Sequence, residues 1–174
     1  GDLDRRDALA YWVGAIREAF EEVGVLLAYG PDGGFVRLAP DNADRYAAYR
    51  AACQAANAAF FDMLRAESLI LATDRLSYFA HWITPVGPTR RYDTRFFVAA
   101  APPGQIPAHD DRETIATAWV NPAEALQQQK AGTFEMIFPT IKNLEAISRF
   151  DKAADLLAAA AAIDEVVTVL PRVV

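Results

Sequence analysis

Three observations predict an α/β or α+β fold, with helices layered on a sheet. Segments with helical spacing of apolar residues alternate with short runs of aromatic and β-branched residues. Two of these runs are joined by a turn and look antiparallel. The chain has 174 residues, 53% of them hydrophobic, which is the size and apolar content of one ordinary domain. We therefore expect a single domain over residues 1–174.

The first predicted helix covers residues 7–23 and ends at Gly24. Its apolar residues recur at helical spacing, and they are Trp12, Ile16, Ala19 and Val23. A short strand over residues 25–28 is expected next, ended by a glycine-rich turn at residues 30–34.

A second helix is predicted over about residues 42–65, with Asp41 or Asn42 as its cap. One stripe of this helix is apolar and carries Tyr46, Tyr49, Cys53, Ala56, Phe60 and Met63. The position of Cys53 on that stripe predicts a buried, unreactive thiol.

The remaining elements follow from turn and cap signals. Residues 79–84 and 91–100 are predicted to form a hairpin, and 113–120 a further strand. Asn121-Pro122 has the form of a helix start. The C-terminal part, about residues 139–174, is expected to contain helices over 139–150 and 152–162 and a closing strand over 163–174.

Composition excludes several classes of protein. The net charge of −6 argues against a nucleic-acid binder, which normally carries a basic face. No apolar stretch is long enough to cross a bilayer, and residues 1–7 are too charged to be a secretory signal. A single cysteine fits a reducing compartment. We expect a cytoplasmic protein that binds neither nucleic acid nor membrane.

Three carboxylates share one face of the first predicted helix. Glu18, Glu21 and Glu22 stand at positions i, i+3 and i+4, where like charges repel. A hard divalent cation such as magnesium would offset this repulsion, because it prefers carboxylate oxygens, phosphate oxygens and water. A solvated acidic surface is the alternative interpretation.

The run from Arg17 to Val25 resembles the second half of the Nudix box. That motif places Arg-Glu, two spacers, Glu-Glu, one spacer, Gly and an aliphatic residue in order, and every fixed position matches. Five such matches arise by chance about once in 10⁶ windows. The first half of the box does not match at the standard spacing, where Leu3 and Leu9 stand in place of Gly and Glu. This is similar to members with a longer segment before the helix, in which the Gly-rich turn and two strands lie upstream.

Other segments resemble a branch of the family that includes peroxisomal coenzyme A diphosphatases. These segments are His81 to Pro85, Arg90 to Phe97, Glu113, Trp119-Val120 and Phe138 to Thr140. The branch carries a helical insert after the Nudix helix, and the helix predicted over residues 42–65 matches it. The insert is also a candidate for a homodimer contact.

The resemblance implies a fold, the Nudix α/β/α sandwich with a mixed sheet. It also implies an enzymatic activity. Mg²⁺, or Mn²⁺ in its place, would be held by Glu18, Glu21 and Glu22, with Glu21 or Glu113 as proton acceptor. The expected reaction is hydrolysis of a diphosphate bond in a nucleotide-linked small molecule, with coenzyme A or acyl-CoA favoured. ADP-ribose or a nucleotide sugar is the alternative substrate. A non-catalytic nucleotide sensor is the alternative class, because Leu9 and Ala116 stand where many relatives have acidic residues.

Alternation along the strand predicted over residues 91–100 places Arg91, Asp93 and Arg95 on one face. A guanidinium donates two parallel hydrogen bonds to phosphate, so this face is a candidate for substrate binding. An ion-pair ladder between strands is the alternative. Arg17 is expected to orient Glu21 through an ion pair one helical turn along.

The other aromatic and imidazole side chains receive less specific predictions. Trp82 and Trp119 are expected to be core aromatics. His81 and His109 are assigned no role, since neither lies near a serine or cysteine pattern typical of nucleophilic catalysis.

Overall fold

A computed structural model describes residues 4–87, 89–108 and 119–172. Helices and short strands alternate along these segments, which confirms the α/β class. The chain divides into two compact units. Among the described residues, the first unit comprises 4–76 and 101–108, and the second comprises 77–100 and 119–172. None of the helices in these segments is long and apolar enough to span a membrane.

Helix α1 spans Arg5–Val23 and opens the first unit. The Asp4 side chain caps it by accepting hydrogen bonds from the amides of Arg6 and Asp7, at 2.6 and 3.0 Å. The helix ends where Gly24 adopts a left-handed φ of 69°, a conformation that costs glycine little. The predicted helix is therefore confirmed, with its start two residues earlier.

The hydrophobic core described for the protein lies in the first unit and is formed by α1, the segment that follows it, and the next two helices. The large side chains that are fully buried are Phe20, Phe60, Ile16, Leu26, Met63 and Cys53. Ile16 and Phe20 are one turn apart, so α1 buries one stripe and leaves the other to its charged residues.

The helix predicted over residues 42–65 is two helices. They are α2, Ala43–Ala55, and α3, Asn57–Ala66. Ala56 separates them in an extended conformation, with φ −155° and ψ 122°. Alanine favours helix wherever it stands, so its position carries no sequence signal for a break. Residue Asn42 is the N-cap, but its side chain accepts from the Ala39 amide at 2.9 Å instead of capping α2.

The strand predicted over residues 25–28 is largely wrong. Strand β1 is only Ala28–Tyr29, and it pairs antiparallel with β2, Ile70–Leu71. The buried side chain of Gln105 instead bonds the Leu26 backbone on both sides, accepting from its amide at 2.8 Å and donating to its carbonyl at 3.0 Å. These backbone groups are satisfied by an amide side chain 79 positions away. A 3₁₀ turn over Thr73–Arg75 follows β2.

The second unit contains the predicted hairpin. Strands β3, Ser77–Ile83, and β4, Asp93–Val98, pair antiparallel, with an irregularity between Tyr78 and Ala80. Strand β5, Thr168–Val169, pairs parallel with β3 on its other side. The strand predicted over 163–174 is therefore wrong in length, and the one predicted over 113–120 falls mostly outside the described residues.

Three helices complete the second unit as predicted. They are α4, Pro122–Lys130, α5, Phe138–Ile147, and α6, Ala153–Ala161. Asn121 caps α4, its side chain accepting from the Ala123 amide at 2.9 Å, with Pro122 at the first helical position. Helix α4 packs on α5, and α6 packs on β3.

Candidate functional site

The three glutamates predicted as metal ligands lie along the C-terminal half of α1. The Glu18 side chain is 50% exposed, whereas that of Glu21 is 14% exposed, and Glu22 is half-buried. The face is therefore only partly solvated, and its carboxylates differ in their access to water. Desolvation makes each uncompensated negative charge more costly, so the more buried glutamates need positive charge nearby.

Arg17 supplies part of that charge. One guanidinium nitrogen forms an ion pair with Glu18, and Nε lies 3.4 Å from a carboxylate oxygen of Glu21. The hydrogen bond to Glu18 raises the pKa of Arg17 above its ordinary value. The predicted pairing of Arg17 with Glu21 is confirmed, and two of the three carboxylates converge on one cation.

The donor set of this face fits a hard divalent cation in its chemistry, because it consists of carboxylate oxygens. Within the described segments, no group of three or more His, Cys, Asp or Glu side chains is gathered closely enough to hold a metal ion. The convergence of Glu18 and Glu21 on Arg17 shows that this face already accommodates a positive group. The assignment of Glu18, Glu21 and Glu22 as ligands stays a prediction.

Two side chains of α2 contact the C-terminal end of α1, and neither is among the site residues predicted from the sequence. Arg50 donates to the carbonyl of Glu21 at 2.9 Å and to that of Glu22 at 2.6 Å. Gln54 donates to the carbonyl of Glu21 at 2.9 Å. The sequence holds one indication of this contact. Arg50 and Gln54 are spaced so that they lie beside the buried stripe of Tyr46 and Cys53 on the helix.

Cys53 lies on the same side of α2 and is 1% exposed. Burial raises the pKa of its thiol to about 11, and the negative charge of Glu21 adds to the rise. The thiol therefore stays protonated at neutral pH, which agrees with the predicted unreactive cysteine.

In the second unit, Asp93 is the centre of a polar network. Its carboxylate accepts from Nε2 of His81 at 2.5 Å and from Arg95 at 2.8 Å. Nδ1 of His81 lies 2.7 Å from the Thr168 hydroxyl, so the network joins β3, β4 and β5. The hydrogen bond from His81 is the main cause that lowers the pKa of Asp93, and Arg95 adds to it. His81, assigned no role from the sequence, thus links the three strands.

The predicted phosphate-binding face is only partly assembled. Asp93 and Arg95 lie on one face of β4, as alternation predicts, and Arg95 is 11% exposed. Arg91 lies before the strand begins, and its Nε donates to the Thr84 carbonyl at 3.0 Å. Contact of these three residues with substrate stays a prediction. Glu113, His109 and Ala116 lie outside the described residues.

An apolar pocket of about 740 Å³ also lies in the second unit. It is lined mainly by aromatic and aliphatic side chains on or next to β3, β4 and the start of α5, including Trp82, Tyr92, Phe96, Ile137 and Phe138, and Arg172 adds a cation. The indole nitrogen of Trp82 donates a hydrogen bond to Oδ1 of Asn143 at 3.2 Å, which fixes one side chain of the pocket lining to α5. The volume is that of a small-molecule site. Trp119, in contrast, is 77% exposed, so its prediction as a core aromatic is wrong.

Comparison with known families and proteins gives a consistent result. A family model described as the NUDT19 Nudix domain matches residues 4–147. The acyl-coenzyme A diphosphatase NUDT19 of Gallus gallus is 28% identical over 166 residues, covering 85% of this chain and 43% of that protein. The Homo sapiens protein of the same name is 28% identical over 158 residues, covering 85% of this chain and 41% of its own length. The chain thus spans about two fifths of these relatives.

A solved structure shares the fold. The crystal structure of a NUDIX hydrolase from Alicyclobacillus acidocaldarius matches with a TM-score of 0.75 and 27% identity. The match covers 90% of this chain and 68% of that one. The sequence motif and the three-dimensional fold therefore indicate the same family.

Proposed function

The chain belongs to the NUDT19 Nudix domain family, and from that premise we propose that it carries the carboxylate helix of a Mg²⁺-dependent hydrolase. The bond cleaved is a diphosphate bond in a nucleotide-linked small molecule, with coenzyme A or an acyl derivative favoured. The observation that carries this proposal is the Arg17 to Gly24 run, which α1 presents as a partly buried carboxylate face paired with one arginine.

The residues of the chain have distinct parts in this reaction. Glu18, Glu21 and Glu22 would hold a divalent cation, which would offset the negative charge of the diphosphate and lower the pKa of the attacking water. Arg17, which pairs with both Glu18 and Glu21, offsets part of their negative charge. Glu21 or Glu113 accepts the proton of the water. Such chemistry depends chiefly on positioning and on charge neutralisation. The helix would supply the positioning, and the cation held by its carboxylates would supply the neutralisation.

The choice of substrate is supported by the relatives. The curated relatives at 28% identity are named acyl-coenzyme A diphosphatases. ADP-ribose, which has no acyl or pantetheine portion, is the alternative substrate.

A direct assay tests the proposal on the protein that carries this chain. Coenzyme A, acyl-CoAs of increasing length and ADP-ribose are incubated with Mg²⁺ or with EDTA, and products are identified by mass spectrometry. We expect phosphopantetheine and adenosine 3′,5′-bisphosphate from coenzyme A with Mg²⁺, and no product with EDTA. In ¹⁸O water the label enters one product only, which identifies the phosphorus attacked.

The same set of compounds distinguishes a hydrolase from a non-catalytic nucleotide sensor. A sensor needs only affinity, so calorimetry would detect nucleotide binding while no product forms from any compound with Mg²⁺ or Mn²⁺. That outcome would overturn the hydrolase proposal. The positions to restore to Glu would then be Leu9, which is exposed on α1, and Ala116.

A further inference from the structure

We propose that Arg50 and Gln54 are positioning residues that fix the last turn of α1, and with it the backbone of Glu21 and Glu22. This inference rests on the proposed function, because it concerns the same carboxylate face. It assigns to the helical insert a role within the hydrolytic site, exerted through hydrogen bonds from α2 to α1.

The hydrogen bonds at the C-terminal end of α1 carry this inference. An α-helix leaves its last four carbonyls without partners inside the helix, and these must be satisfied from elsewhere. In α1 the Phe20 carbonyl accepts from the Gly24 amide at 3.1 Å, and the Val23 carbonyl accepts from the Ala108 amide at 3.0 Å. The two carbonyls between them belong to Glu21 and Glu22, and both are bonded by side chains of α2. The last turn is therefore fixed to α2 at two predicted metal ligands.

The electrostatics of this end also require Arg50. A helix C-terminus carries partial negative charge, and α1 places two glutamates and no basic residue in its last turn. The Arg50 guanidinium lies against the carbonyls there and offsets that charge. Its planar fork donates to two carbonyls at once, a geometry that a lysine ammonium cannot reproduce.

The shape of the contact agrees with this role. A Cβ atom added at Gly24 would lie 3.4 Å from an Arg50 guanidinium nitrogen, so Arg50 packs directly against the residue that ends the helix. Cys53 lies one turn along α2 from Arg50 and is buried. The negative charge of Glu21 contributes to the raised pKa of its thiol. One side of α2 thus contacts the carbonyls of the last turn and lies near a carboxylate.

The position of Glu21 and Glu22 is therefore set by α2 as well as by α1. Residues that orient metal ligands without touching the metal typically change metal affinity about 10- to 100-fold when removed. Loss of Arg50 is expected to loosen the last turn, weaken metal binding and lower kcat. The KM for coenzyme A at saturating metal should change little, since Arg50 is not proposed to touch substrate.

The test compares Arg50→Ala, Arg50→Lys and Gln54→Ala with Arg45→Ala. Arg45 stands on the same helix but pairs with Glu67 at 3.3 Å, away from α1, so it is a matched control. Mn²⁺ affinity is measured by electron paramagnetic resonance without substrate, and kcat and KM by product formation. Slow labelling of Cys53 by a thiol reagent verifies that α2 still packs as in the parent.

We expect Arg50→Ala to weaken Mn²⁺ binding by at least about tenfold, Arg50→Lys and Gln54→Ala by less, and Arg45→Ala to match the parent. If Arg50→Ala does not fold, the Mn²⁺ affinities of Arg50→Lys and Gln54→Ala test the inference instead. Folded variants with parental Mn²⁺ affinity and kcat would overturn the inference alone. A parent that neither binds Mn²⁺ nor forms product would instead overturn the proposed function.

Discussion

The two compact units bury different kinds of side chain. The first unit encloses large apolar residues that are almost inaccessible to water, such as Phe20 at 1% and Phe60 at 0% exposure. In the described part of the second unit, the buried residues are small or polar, namely His81, Ala125, Asn143 and Ala160. Large apolar side chains lie at its surface instead, among them Val86, Trp119, Ile137 and Phe138.

This difference shows where rigidity comes from in each unit. In the first unit, close packing of α1 on the core holds one helix face still, so that the opposite face can present carboxylates. In the second unit, the strands are joined by the His81, Asp93 and Thr168 network, and apolar side chains surround a pocket. Exposed apolar surface of this kind is typical of a ligand or protein contact.

The largest effect is expected from core truncation, compared between the units. Phe20→Ala should lower the free energy of unfolding by about 3–5 kcal/mol, because it leaves a cavity in a packed core. Phe138→Ala should lower it by less than about 1.5 kcal/mol, because that side chain is 53% exposed and its removal leaves no closed cavity. Urea unfolding followed by circular dichroism measures both. Equal losses would mean that the second unit is packed as tightly as the first.

The next effect concerns the carboxylate face. Glu22→Gln should lower turnover by at least about a hundredfold with little loss of stability, because it removes a charge from a half-buried helix side and leaves its shape unchanged. The control is Glu124→Gln, which removes an exposed charge from α4 in the second unit and should leave turnover unchanged. A Mg²⁺ titration of both variants makes the comparison. Parental activity and metal dependence in Glu22→Gln would show that Glu22 does not hold the metal.

A smaller effect is expected at the arginines of the second unit. Arg91→Ala or Arg95→Ala should raise the KM for the diphosphate substrate about tenfold, because a charge-assisted contact contributes roughly 1.5–3 kcal/mol. Only one of the two need respond, and exposed Arg90→Ala is the control. Because Arg95 also pairs with Asp93, unfolding is measured in parallel. Parental KM in both variants, with loss of stability in Arg95→Ala, would identify a structural ladder.

The smallest effect is the pH dependence of the Asp93 network. Hydrogen bonds from His81 and Arg95 lower the pKa of Asp93 below its ordinary 3.8. The stability that this carboxylate contributes is therefore fully present above that value and is lost as pH falls through the lowered pKa. The thermal midpoint of Asp93→Asn should lie a few degrees below the parent from about pH 6 to pH 5, and the gap should close as the pH falls below 3.8 and through the lowered pKa. A gap that widens on acidification would contradict this assignment.

Much of the first unit was predictable because its signals are local. The period of apolar residues and the glycine stop defined α1, and the motif on its polar face placed the carboxylates and the Arg17 pair. The Asn121-Pro122 signal likewise gave the start of α4 correctly. Residues that determine such features stand within a few positions of one another, so their spacing in the sequence already describes their geometry.

Tertiary structure decided the features whose partners are distant in sequence. Residues 25–27 are not a strand, because the Gln105 side chain forms hydrogen bonds with the Leu26 amide and carbonyl. Helix α2 separates from α3 at Ala56, although alanine by itself favours helix. The bonds from Arg50 and Gln54 to α1, and the His81 link to Thr168, likewise join residues far apart in the chain. A side chain that bonds a backbone carbonyl leaves no periodic pattern, so only the folded chain shows which partner it has.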